Sequence, residues 1–92
     1  MNDRRYRSYR LVSRRLSSDL YDAFEREVLL DAAEGLLLMR SPRSSEIASI
    51  QGRVDAVLAG MVAARRIHST LAAELREHIG DCGPLAADVV AA

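Results

Sequence analysis

Ninety-two residues carrying 13 Arg, no Lys and 13 acids sum to a net charge of zero, which bounds the chain to one domain and argues against strong polyanion binding by the molecule as a whole. A single cysteine excludes an internal disulfide, and the longest apolar cluster, interrupted by Asp31 and Glu34, is too short to cross a bilayer. Two prolines, five glycines, no Trp and no strand-length alternation of apolar and polar residues make an all-α fold the expectation.

The charge is unevenly spread. Residues 1–16 hold six Arg and one Asp, a local charge of +5, and residues 17–92 hold seven Arg and twelve acids, −5. Arginine as the sole cation fits a GC-rich, bacterial genome. The charged start has no apolar stretch behind it, so no secretory signal is expected, and the cytoplasm is the expected location.

A first helix is expected over about residues 4–40. Leu16, Leu20, Phe24, Val28, Ala32 and Leu36 recur every fourth position, with Leu29, Ala33 and Leu37 in a second row beside them. Ser17 or Ser18 offers an alternative start at Asp19, with residues 4–18 then free of it. The run Arg4, Arg5, Tyr6, Arg7, Tyr9, Arg10, then Arg14 and Arg15, is the sharpest local signal. Arginine binds phosphate bidentately and interleaved tyrosine can stack on bases, so these eight residues are the candidate anion or nucleic-acid contacts. The plainer reading is a helix end whose arginines pair with acids elsewhere in the chain, and it is the favoured one.

Residues 40–44, Arg-Ser-Pro-Arg-Ser, form the linker: Pro42 disfavours helix in the residue before it and suits the first turn of the next helix, and Ser41 or Ser44 can cap that helix. A second helix is expected over about 44–79, ending at Gly80, with Pro84 beyond and residues 80–92 as a tail that makes a short turn through Leu85, Val89 and Val90 or frays. Its seam, Ile47, Ile50, Val54, Val57, Met61, Ala64, His68, Leu71, Leu75 and His78, is spaced as a heptad repeat, and the helix would be roughly 54 Å long. Arg66 and Ala59 fall on its outward side. The expected architecture is a long antiparallel helical hairpin, one domain over 1–92, completing a four-helix bundle by dimerisation or partner binding.

Nine of the twelve residues from Val28 to Met39 are apolar, more than one facing helix can cover. Leu29, Leu36, Leu37, Leu38 and Met39, with Leu58 and Ile79 widening the second seam, are therefore the candidate partner-binding residues. His68 and His78 lie ten residues apart, roughly 15 Å along a helix, too far to share a metal. The stretch around His68 is similar to the dimerisation helix of histidine kinases, but Ser69 stands where that family has an acid. Cys82 lacks the partners of a nucleophile, and no metal, cofactor or catalytic set can be assembled. In shape alone such a hairpin resembles bacterial secretion co-chaperones, quorum-sensing antiactivators and the small hairpins of mycobacterial-type secretion. The last group's Trp-x-Gly turn is absent: the chain has Met39-Arg40-Ser41-Pro42 there. No family is assigned. The expected function is a non-enzymatic interaction module (adaptor, small chaperone or regulatory subunit) for a protein partner or a second copy, with nucleic-acid binding as the alternative.

Overall fold

Where the sequence pattern runs two long helices, the chain makes four. The structure, a computed structural model, describes residues 3–39 and 43–84. Among them are α1 (Asp3–Leu16), α2 (Ala23–Leu37), α3 (Ser44–Ala63) and α4 (Ser69–Gly80), and no strand. The molecule measures 36 × 25 × 21 Å along its principal axes, well short of a 54 Å hairpin. The linker residues 40–42 and the tail residues 85–92, including the proposed turn through Leu85, Val89 and Val90, lie outside the described residues.

The first break is made by side chains. Ser17 donates its hydroxyl to the Arg14 carbonyl at 2.6 Å, closing α1. Asp22 then caps α2: its Oδ1 accepts from the Glu25 N–H at 2.8 Å, and Glu25 Oε1 accepts from the Asp22 N–H at 2.9 Å. This reciprocal box satisfies two amides that a helix start leaves open. It corrects both the continuous first helix and the proposed caps, Ser17 and Ser18. Arg26 reaches back from α2 to the carbonyls of Leu16 at 2.7 Å, Tyr21 at 3.0 Å and Ser18 at 3.2 Å. One guanidinium thus satisfies the last carbonyl of α1 and two carbonyls of the turn that follows it.

The second break is made by backbone. Arg65 has φ 60°, its N–H donates to the Val62 carbonyl at 2.9 Å, and the Arg66 N–H donates to the Met61 carbonyl at 2.9 Å. That pair of bonds is a Schellman stop, here without the usual glycine. Two residues later, His68 Nδ1 accepts from the Thr70 N–H at 3.4 Å and caps α4. His68 is therefore an exposed helix cap and not a seam residue. Gly80, expected just past a helix end, is the last residue of α4, and Asp81 is its cap.

Folding back twice lets the chain close its own core. Val12 and Leu16 of α1, Leu29, Ala33 and Leu36 of α2, Val54 and Met61 of α3, and Leu75 and Ile79 of α4 are at most 2% exposed. Each large side chain among them contributes about 1.5–3 kcal/mol by leaving water. Leu20 and Phe24, on the row expected to face inward, are 38% and 68% exposed. The inward face of α2 is instead Leu29, Ala32, Ala33, Leu36 and Leu37.

Candidate interaction surfaces

The two breaks meet in space. Arg66, in the α3–α4 turn, donates to Glu25 Oε2, donates to the Leu20 carbonyl at 2.8 Å and lies 3.9 Å from Asp22. Glu25 is the one buried charged residue among those described. Hydrogen bonding to Glu25 raises the Arg66 pKa above its ordinary value against the opposing effect of desolvation, so the guanidinium stays charged. Arg66 is thus a tie between loops and not the free outward residue of a long helix.

The arginine run divides into two groups. Arg4 donates to the Gly83 carbonyl at 3.2 Å and sits 3.7 Å from Asp81. Arg5 donates to the Cys82 carbonyl at 2.9 Å and to the Leu36 carbonyl. Arg15 pairs with Glu74 at 3.3 Å. Arg4 and Arg5 satisfy carbonyls at the ends of α2 and α4, where a helix favours positive charge. Arg7, Arg10 and Arg14 are the exposed ones, along the outer side of α1 beside Tyr6 at 45% exposure. Tyr9 is half-buried against the core; burial first, then the Glu34 carboxylate, pushes its hydroxyl pKa up.

Of the apolar residues expected to meet a partner, Leu29, Leu36, Leu37, Leu58 and Ile79 are buried inside the chain's own core. Met39 is half-buried, and Leu38 is 57% exposed. The surplus apolar surface of Val28–Met39 is mostly consumed by α1 and α4, which a two-helix hairpin would not have supplied.

A surface that the sequence pattern did not bring out lies on α3. Its outer side presents Ser49, Gly52, Ala56, Ala59, Gly60 and Ala63, all exposed. A solvent-facing helix side ordinarily carries charged residues. Gly52 and Gly60 cost helix stability of about 1 kcal/mol each relative to Ala, yet a Cβ on either would meet nothing within 4 Å. Two shallow depressions flank this side. One, of about 400 Å³, lies between α3 and α4 over Leu58, Ala59, Val62, Ala72 and Ala73, with the Asp55–Arg76 ion pair at 2.6 Å on its rim. The other, of about 370 Å³, lies between α2 and α3 beside Phe24, Ala56, Val57 and Gly60. Small residues spaced three and four apart were the available signal, hidden because a heptad seam is defined by its large residues.

Chemistry is sparse. Among the described residues no group of three or more His, Cys, Asp or Glu side chains is placed to hold a metal. Cys82 is fully buried, its Sγ donating to the His78 carbonyl at 3.5 Å, and burial, with Asp81 adding, pushes its pKa up to about 11. Such a thiol stays protonated and unreactive near neutral pH. No described helix is long and apolar enough to cross a membrane.

Comparison with known proteins gives no match: no family model, no curated protein and no solved structure is significantly similar to this chain.

Proposed function

We propose that the protein is a non-enzymatic interaction module, an adaptor, small chaperone or regulatory subunit of the cytoplasm, that takes a partner helix against α3. The observation that carries this reading is the outer side of α3. Apart from exposed Arg53 at its edge, it is uncharged over Ser49, Gly52, Ala56, Gly60 and Ala63, and a Cβ added at either glycine would meet nothing within 4 Å. Small residues let a second helix backbone approach closely, and the depressions on either side would accept the larger side chains of that helix. The bidentate Asp55–Arg76 pair at one edge would orient it.

The test is affinity capture from the source organism with wild type, Ala56→Arg and Gly60→Arg, all checked for unchanged helical content. A partner bound by wild type and lost with both variants supports the reading. The same captured proteins in all three samples reject it. Nucleic-acid binding through α1 receives less support, because Arg4, Arg5 and Arg15 are engaged within the chain.

A further inference from the structure

α1 and α2 run antiparallel, fastened near both ends: Arg5 to the Leu36 carbonyl and Arg26 to the Leu16 carbonyl. That register sets Arg7 level with Glu34, Arg10 level with Asp31 and Arg14 level with Glu27. All six are exposed. The arginines stand three and four residues apart on the outer side of α1, and the acids four and three apart on the outer side of α2, so reversing one helix superposes the two spacings. Like charges at such spacing weaken a helix by a few tenths of a kcal/mol per pair, so each row has a cost within the chain. No ion pair within 4.0 Å involves Arg10, Arg14, Glu27, Asp31 or Glu34 among the described residues. At one end of the rows stand exposed Tyr6 and Leu38.

We propose that this face pairs with itself: a second copy of the chain docks on α1 and α2 about a two-fold axis parallel to both helices. Rotation about that axis preserves height and exchanges the two helices. Each copy's α1 then lies over the other's α2, Arg7, Arg10 and Arg14 meet Glu34, Asp31 and Glu27 twice, and Tyr6 and Leu38 close one end. A face carrying equal and opposite rows is complementary to its own two-fold image. A polyanion gains the arginine row but is repelled by the acids beside it. The face is roughly 21 Å long and 20 Å wide, at the small end for specific pairs, so the dimer is a weak, salt-sensitive one. It leaves α3 open and stands apart from the partner-helix reading.

Sedimentation equilibrium of the full chain tests the inference. The wild type should dimerise in about 50 mM salt and weaken at least about tenfold by about 500 mM. Arg10→Glu with Arg14→Glu makes one variant, and Glu27→Arg with Asp31→Arg another. Each should be monomeric alone, and an equimolar mixture should restore a one-to-one pair. A wild type that stays monomeric at about 200 µM in low salt overturns the proposal, as does a dimer that both variants retain or a mixture that fails to pair. Should either variant lose its circular dichroism signal, Arg10→Gln with Arg14→Gln replaces it. That variant must weaken the dimer about tenfold at unchanged helicity, and an undiminished dimer overturns the proposal. Capture through α3 is unaffected by any of these changes, so the two readings fail separately.

Discussion

The chain turns back twice by different means, and the contrast shows what each kind of turn asks of a sequence. Between α1 and α2 the turn is built from side chains: Asp22 and Glu25 cap the new helix and Arg26 closes the old one. Between α3 and α4 the backbone makes the turn, with Arg65 in the left-handed region and two reversed hydrogen bonds. The first kind specifies residue types, because only particular side chains can accept or donate at those positions. The second specifies a conformation that a non-glycine residue can adopt at a cost of about 1–2 kcal/mol, offset by what the turn buries.

Arg66 joins the two turns, so its replacement should have the largest effect. Arg66→Glu would set a third carboxylate against Asp22 and Glu25, and urea denaturation should show a greater loss of stability than for Cys82→Ala, Asp22→Ala or Arg65→Gly. Ala59→Glu, on the exposed side of α3, is the matched control and should change little.

The end of α4 is a reference that neither turn should influence. The Cys82 thiol is pushed from 9.0 to about 11, so the folded chain holds a proton that the unfolded chain releases between those values. This group's stabilising contribution is full below pH 9, falls as pH rises through 11, and amounts to about 2–3 kcal/mol. Chemical denaturation from pH 8 to 11 should show that loss, and Cys82→Ala should flatten this part of the profile. Iodoacetamide should label Cys82 slowly in the native protein and rapidly in urea.

Asp22→Ala tests the side-chain turn alone. Losing the cap should cost about 1 kcal/mol and lower the melting temperature by roughly 4–8 °C. Arg65→Gly tests the backbone turn and has the opposite sign. Glycine relieves the positive φ, for a gain of at most about 1 kcal/mol after its greater unfolded-state entropy is counted. A fall in melting temperature for Arg65→Gly would mean that the arginine side chain itself holds the turn.

These turns also explain what could be read in advance. The helical class was legible, as was the Leu29, Ala33, Leu37 row, because both depend on local periodicity. The long first helix was not real because apolar residues at every fourth position do not share a side. Each such step advances about 40° round the axis, so a row from Leu16 to Leu36 winds through roughly 200°. Leu20 and Phe24 are accordingly exposed. The signal that outranked that row was Asp22-x-x-Glu25, a cap spacing inside the supposed helix. The second break left no such mark. Arg65 is an ordinary helix residue by type, and α4 resumes the heptad phase with Leu71 and Leu75, so the seam reads straight across the turn. The arginine run reads more readily as a charged helix end than as a nucleic-acid contact, but which arginines turn inward depends on where α2 and α4 stop. The small-residue side of α3 was present in the sequence, but its exposure followed only from knowing which side faces the core.

The contacts of Arg4 and Arg5 have a kinetic meaning as well. They join residues 77 and 79 positions apart, Arg5 to Cys82 and Arg4 to Gly83. Closing a loop of that length costs about 4 kcal/mol of chain entropy before any contact offsets it. The neighbouring pairs α1–α2 and α3–α4 need far shorter closures, so they can form early and separately. The joining of α1 to α4 is then the longest-range closure, and it adds to the α2–α3 packing that also links the two hairpins. Weakening it should slow or uncouple folding without first dissolving the hairpins themselves.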